Sequence, residues 1–336
     1  MKTFFKYYSE KFDVIEHLKA PSIKLATTAS LNDPFEKDLS NELSDYLADK
    51  FILDKMKKNN ANISHMKNLL RISYREVTKF YGIVSLTETH RNILMWAHYS
   101  VSHQGVCIGY KEDFIEDIKS KKTCSDTLEG IYTPEHVRYD SKRFDPELLH
   151  EKTTLREIIN QAMNTKSDDW MYEKEHRCIV PFIWADKVRI DIRKSESARK
   201  LIDSYKQNNY ISNSDIEDEY IFIIDQEKFD DSYIKAKIAA DKDAVMLKNI
   251  DIKSITAIYL GVNYDKIKTE QLRILIESNP DRYQHISVYK YRANFNRFEL
   301  DLTPVVNSKM KFSLDDIIVE KELNITNKHN ELPNVF

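Results

Sequence analysis

Glu173 and Glu175 stand two residues apart in the run Trp170-Met171-Tyr172-Glu173-Lys174-Glu175-His176-Arg177. On an extended chain that spacing turns both carboxylates to one face. A carboxylate pair on the lip of a strand can stabilise positive charge developing at a sugar carbon during glycosyl transfer, and one member can orient the attacking group. The other reading is structural, with one of the two pairing with Arg177. A second polar and aromatic region runs from Ser85 through His98, Tyr99 and His103. On a helix there, Arg91, Met95 and His98 share one face and Asn92, Trp96 and Tyr99 another. Trp96 and Tyr99 would then wall a planar ring beside the hydroxyls of Ser85 and Thr87. The alternative is a core helix with Trp96 buried and His98 satisfied by hydrogen bonds. A third group joins Lys6-Tyr7-Tyr8 to Asn32-Asp33-Pro34-Phe35-Glu36. Asp33 reads as a turn cap, and Asn32 as a residue able to hold a ligand amide or hydroxyl.

Several chemistries are excluded by what is missing. Only 5 of the 336 residues are glycine, at Gly82, Gly105, Gly109, Gly130 and Gly261. Neither G-x-G-x-x-G nor a Walker A loop can be assembled from them, so a Rossmann fingerprint and a P-loop are ruled out. No H-E-x-x-H or C-x-x-C occurs, and the spacing of His98 and His103 is not that of a standard ligand pair; no metal is expected. Cys107 and Cys178 sit in apolar runs, where a thiol behaves as a small hydrophobe. A Ser-His-Asp triad stays open, without a G-x-S-x-G elbow. Net charge is −3, from 51 basic and 54 acidic residues, and gives no electrostatic footprint for nucleic acid. Three cysteines are too few for a disulfide scaffold and point to a reducing compartment. Lys6 interrupts what a signal peptide would need, and no run reaches the ~18 apolar residues of a membrane span. A cytoplasmic protein without a membrane partner is expected.

The elements that must position these groups follow from periodicity. Phe4–Tyr8, Ile23–Thr27, Gly82–Leu86, Gly105–Tyr110, Val137–Tyr139, His176–Val180, Tyr220–Ile224, Ile255–Gly261, Ile286–Tyr289 and Arg297–Leu300 read as strands. Lys11–Lys19 behind a Ser9 cap, Asn92–Tyr99, Lys111–Lys119, Pro146–Met163 and Lys266–Glu277 read as helices. Two more helices fill Glu36–Phe80, joined near Asn59-Asn60. Strands and helices mix without a strict βαβ rhythm, which predicts an α+β fold. One domain over 1–303 is expected, with a helical insertion at about 36–80, a charged insertion at about 195–245 and a C-terminal tail, 304–336.

These pieces resemble a family. Lys6-Tyr7-Tyr8, Leu31–Glu36, Met95-Trp96-Ala97-His98-Tyr99 with His103-x-Gly105-Val106-Cys107-Ile108, and Tyr172–Arg177 look like the bacterial "domain of unknown function 2971" family. Ile258–Gly261 and Val288-Tyr289-Lys290 resemble its closing elements, so the resemblance runs from about Phe4 to Leu302. His176 departs from it, standing where an aromatic such as Trp is expected. A looser likeness is to the ADP-ribosyltransferase fold, a split mixed β-sheet core with flanking helices that grips NAD without a Gly-rich loop. That likeness implies that Lys6 or Tyr7 holds ribose or nicotinamide, that Ser85 takes the second-strand position, that Tyr99 or Trp96 stacks on nicotinamide, and that Glu175 contacts the ribose and stabilises the oxocarbenium. The implied catalytic set is Glu175, Glu173 and His98. The implied binding set is Lys6, Tyr7, Tyr8, Asn32, Asp33, Ser85, Trp96, Tyr99 and Arg177. NAD would be the substrate, a protein or nucleic acid the acceptor, and a toxin or phage-defence effector the setting. The alternatives are a non-enzymatic sensor or binding module of a defence system, with the charged insertion as partner surface, and a metal-dependent nuclease built on Asp33, Glu36, Glu173 and Glu175.

Overall fold

The computed structural model describes residues 2–55, 63–115, 131–144, 149, 153–190, 200, 203–204, 206–207, 216–218, 221–223 and 244–306. The strands are, in chain order, β1 (Thr3–Tyr8), β2 (Ser22–Leu25), β3 (Tyr81–Thr87), β4 (Val106–Lys111), β5 (Ile131–His136), β6 (Arg138–Tyr139), β7 (Thr165–Lys166), β8 (Glu175–Pro181), β9 (Lys187–Ile190), β10 (Ile216–Asp218), β11 (Ile221–Ile223), β12 (Ala244–Asn249), β13 (Ile255–Leu260), β14 (Ser287–Ala293) and β15 (Leu300–Val306). The helices are α1 (Val14–Lys19), α2 (Asn41–Lys55), α3 (Ile63–Glu76), α4 (Ile93–Tyr99), α5 (Leu155–Met163), α6 (Lys266–Ser278) and α7 (Pro280–Tyr283).

Eight strands form one mixed sheet in the order β15-β14-β13-β4-β1-β3-β8-β5. Its neighbours are antiparallel except β13 and β14, which run parallel and are joined through α6 and α7, as a parallel pair requires a crossover. A second sheet, β10-β11-β9-β12-β2, is antiparallel throughout. The fold is thus α+β, a large mixed sheet with flanking helices.

Alternation decides what each face of the large sheet meets. Phe4, Val84, Leu86, Ile108, Cys178, Val180 and Ile258 enter the main core together with Val188 and Met246 of the second sheet and Leu272 and Ile276 of α6. Full burial of each large side chain there contributes about 1.5–3 kcal/mol. The opposite face is covered in two places. Tyr7, Cys107, Tyr259 and Tyr291 pack with Met95 and Trp96 of α4. Ile179 packs under Leu43 and Leu47 of α2 and Ile158 of α5. Between these two covers the same face carries Ser85, Glu175 and Arg177, and there the apolar lid is interrupted.

Several boundaries differ from the sequence reading. Helix α1 begins at Val14 because Asp13, not Ser9, accepts from the backbone N–H groups of Ile15 and Glu16 (2.9 and 3.1 Å). Helix α5 begins at Leu155, where Thr154 and Glu157 form a reciprocal capping box. In place of the first part of the helix expected at Lys111–Lys119 stand the end of β4 and a turn through Ile115, while 116–119 lie outside the described residues. The strand expected at Arg297–Leu300 starts only at Leu300, because Asn294 Oδ1 ties the backbone N–H groups of Asn296 and Arg297 into a turn. Pro304 then lies within β15, an edge strand that tolerates the missing donor. The join near Asn59-Asn60, the ends of the Tyr220–Ile224 strand and the tail beyond 306 lie outside the described residues.

Three of the glycines sit where chains pass closely. A Cβ on Gly105 would stand 1.9 Å from Tyr8 O, and one on Gly261 2.1 Å from His103 O. At this crossing Val101, Ser102 and His103 all hold left-handed φ values of 49°, 53° and 66°, carrying the chain from α4 into β4. Gly82 is similarly pressed, 2.5 Å from Leu25 Cβ. Replacing Gly105 with Ala is expected to lower the unfolding free energy by about 1–3 kcal/mol through overpacking against β1 backbone. Urea denaturation reads this as a lower midpoint; an unshifted midpoint would show that the crossing yields.

Candidate functional site

Strand β8 opens directly on the site. Its first residue, Glu175, follows Lys174, whose left-handed conformation (φ 47°, ψ 49°) caps the 3-10 turn Asp168–Glu173. That single left-handed residue, rather than strand alternation, brings the carboxylates of Glu173 and Glu175 together. Both accept from Lys166 Nζ on β7, at 2.6 and 3.1 Å. Glu175 also takes a two-pronged pair from Arg177, Nε to Oε1 at 2.8 Å and Nη2 to Oε2 at 2.9 Å, the geometry in which guanidinium binds carboxylate best. Arg177 Nη1 donates to Met163 O at the end of α5 (2.7 Å), and Nη2 forms a close ion pair with Glu36. The Tyr99 hydroxyl donates to Glu173 Oε1, while Thr87 Oγ1 holds the Glu173 carbonyl at 2.7 Å. The Tyr139 hydroxyl accepts from Glu175 N at 2.7 Å.

Burial and pairing set the charges. Burial alone would raise the Glu175 carboxyl, but the guanidinium of Arg177, with Lys166, holds it down at about 2. Burial works against the Lys166 ammonium too, and is outweighed by Glu175 and Glu173, so it is held above its ordinary value. Glu36 goes the other way: burial pushes it up to about 7, only partly offset by Arg177. Although Arg177 touches it, neither Glu36 oxygen accepts a hydrogen bond of ordinary geometry. The Tyr99 phenol is raised by burial and by the neighbouring Glu173. Lys6 is lowered to about 8, chiefly by burial.

Lys6 marks where the sheet opens. Strand β1 pairs with β4 from Thr3↔Lys111 to Tyr8↔Val106, but its register with β3 holds at Phe5↔Thr87 alone. Beyond that point Lys6 Nζ reaches across to donate to Ser85 O at 2.9 Å. A cavity of about 180 Å³ lies over this opening.

Of the twelve residues in the implied catalytic and binding sets, eight line that cavity: Lys6, Tyr7, Asn32, Ser85, Tyr99, Glu173, Glu175 and Arg177. Four do not. Trp96 is 0 % exposed; its indole N–H donates to His90 O at 2.8 Å and its ring meets Tyr7 and Tyr291 edge-on. The wall expected from Trp96 and Tyr99 together is therefore corrected to Tyr99 beside Met95. His98 is exposed on the outer side of α4, near Tyr172 rather than the carboxylates. Tyr8 turns to the other face, stacked on Phe12 and bonded to the Tyr110 hydroxyl. Asp33 caps its turn through Oδ1 to Phe35 N (2.9 Å) and lies against a neighbouring cavity. His176, where the resemblance would put an aromatic, packs its ring on Phe4 at 4.7 Å.

Lys166 is the principal residue that the sequence reading missed. It lies on a two-residue strand in the polar run Asn164-Thr165-Lys166-Ser167, too short for alternation to mark it as inward. The burial of Glu36 was equally hidden, since nothing in Pro34-Phe35-Glu36 distinguishes it from a solvated turn. Among the described residues no group of three or more His, Cys, Asp or Glu is arranged to hold a metal ion.

The Glu36 shift fixes a pH dependence. Its folded value, about 7, lies above the ordinary 4.5, so the neutral form is favoured by folding. The stability this gives is complete below about pH 4.5 and is lost as the pH rises through about 7. Glu36→Gln should remove that loss. Its unfolding free energy should gain on the parent's by up to about 3 kcal/mol between those pH values. Denaturant melts across the range read this, and parallel profiles would show that Glu36 is not held neutral.

No curated protein and no solved structure matches the chain. Residues 95–178, from α4 to the middle of β8 and so including Tyr99, Lys166, Glu173, Glu175 and Arg177, match the model of the family described as "Protein of unknown function (DUF2971)".

Proposed function

We propose that the cleft binds NAD and cleaves its nicotinamide–ribose bond, as an ADP-ribosyltransferase-like enzyme acting in a toxin or phage-defence setting. One observation carries this reading: Lys6 of β1, Ser85 of β3, Tyr99 of α4 and Glu175 of β8 come from four separate elements and line one cavity. In this reading the rings of Tyr99 and Tyr7 flank the nicotinamide. Ser85 and Lys6 hold the ribose or amide from the sheet opening. Glu175, ionised at about 2 and fixed by Arg177, supplies the preorganised negative charge that an oxocarbenium needs. A protein or nucleic acid is the acceptor, or water where NAD is simply destroyed.

A second reading, a non-enzymatic binding or sensor module, is favoured by the same ion pairs. Both oxygens of Glu175 are engaged by Arg177, and Lys166 adds a further contact, so the carboxylate already has its partners. The nuclease reading is favoured by nothing comparable, since Glu36, Glu173 and Glu175 each face a protein cation.

NAD turnover decides between them. Wild type should release nicotinamide, and Glu175→Gln should reduce the rate by at least about 100-fold while keeping its circular dichroism. Tyr99→Ala should weaken NAD binding. Absence of turnover at any enzyme level, or full turnover by Glu175→Gln, sinks the enzyme reading. A thermal shift with NAD but no turnover would favour the sensor.

A further inference from the structure

Two phenylalanines stand wholly in solvent on the loop between β14 and β15. Phe295 is 100 % exposed and Phe298 102 %. Neighbouring large apolar side chains are seldom left so, and exposed apolar patches mark contacts with a partner or a lipid surface. The loop is tightly held. Ala293 pairs with Leu300 across the two strands, and Asn294 fixes the chain between them. Its Oδ1 accepts from the N–H groups of Asn296 and Arg297 at 2.8 and 2.9 Å. Its own N–H donates to Glu299 O at 3.1 Å, and its Nδ2 donates to the Asp301 carboxylate at 3.2 and 3.0 Å. The rings are thus presented by a preformed turn, whose ordering cost a partner need not meet.

Charge around the tip selects the partner. Arg292, Arg297 and Glu299 are exposed, and neither arginine forms an ion pair among the described residues. Asp301 is engaged by Asn294. Two unpaired guanidinium groups against one glutamate suit an anionic surface, and guanidinium binds phosphate two-pronged. Full exposure of both rings makes the tip a projection rather than a groove. A bilayer takes such a projection at its headgroup–acyl boundary without a pocket of matching shape. The pairing of Phe with Lys or Arg is also what holds amphipathic helices in that layer. We propose that this loop is a membrane-docking tip, with Phe295 and Phe298 entering the headgroup–acyl boundary of an anionic bilayer and Arg292 and Arg297 contacting lipid phosphates. Among the described residues no helix is long and apolar enough to cross a membrane, and a contact of this depth needs none. The expectation of no membrane partner, drawn from the lack of a spanning run, does not bear on it.

The proposal is independent of NAD cleavage, because none of these residues lines the cleft. Flotation of the full chain with vesicles tests it, using equimolar phosphatidylcholine and phosphatidylglycerol beside phosphatidylcholine alone. The chain should float with the anionic vesicles and bind phosphatidylcholine alone at least about tenfold more weakly. Phe295→Ser combined with Phe298→Ser should weaken binding to the anionic vesicles at least about tenfold. The circular dichroism should not change, since both side chains lie outside the core. Arg297→Ala should weaken the same binding about fivefold. No flotation with the anionic vesicles, equal flotation with both compositions, or undiminished flotation of the folded double variant would each overturn the proposal. So would a dimer in vesicle-free buffer that the double variant abolishes, which would assign the tip to a second copy. If the double variant does not fold, Arg297→Ala and the two vesicle compositions decide alone.

Discussion

The guanidinium of Arg177 is the group on which the site's architecture turns. It is 1 % exposed and lies on β8, in the gap between two apolar covers. A charge so placed is sustained only by complete pairing, and its donors bind three separate parts of the chain together. Two prongs fix Glu175 within β8, a third reaches Met163 O at the end of α5, and the ion pair to Glu36 draws in the loop before α2. Lys166 repeats the pattern from β7, tying Glu175 to Glu173 and so to Tyr99 of α4. Removing either cation would leave buried carboxylates facing one another. Replacing the whole set by apolar residues would fill the gap and close the cleft.

Charge balance explains why one member behaves differently. Three carboxylates, Glu36, Glu173 and Glu175, meet two cations, Lys166 and Arg177. Glu175 touches both cations and is held ionised. Glu36 touches only Arg177, whose best geometry is already spent on Glu175, and so burial dominates and raises it. A surplus of acid in a poorly solvated place is resolved by a proton rather than by a further ion pair. The opening between β1 and β3 adds a third cation, Lys6, but it turns to Ser85 O instead of the carboxylates and burial lowers its proton affinity.

How far the sequence discloses this depends on how local the cause is. Strands β1, β3, β4, β8 and β13 were legible because alternation or continuous burial is written residue by residue, and the mixed α+β class followed from them. Glu173 and Glu175 were legible as a pair, though for another reason than the one that operates: their convergence needs the left-handed Lys174, which no period-two pattern signals. Trp96 and Tyr99 are three apart on α4 and share a helical face, yet α4 is only two turns long and tilts Trp96 into the aromatic cluster of Tyr7 and Tyr291. Sequence spacing gives the face of a helix but not the depth at which each residue meets the sheet. Lys166 and Glu36 were illegible because their burial arises from elements distant in the chain closing over them.

The same ion network forms the partition between the two cavities, since Glu36, Lys166 and Arg177 line both. That gives the wall a property neither cavity has alone. An ionised Glu36 competes for Arg177 with Glu175, which faces the other side. Because all three side chains are buried, their interaction is weakly screened and a change of protonation at one is felt by the next. Arg177 Nη2 contacts Glu175 on one side and Glu36 on the other, so the two carboxylates share one donor group. Buried from solvent, the network sets one electrostatic environment for both faces of the wall, with Arg177 at its centre.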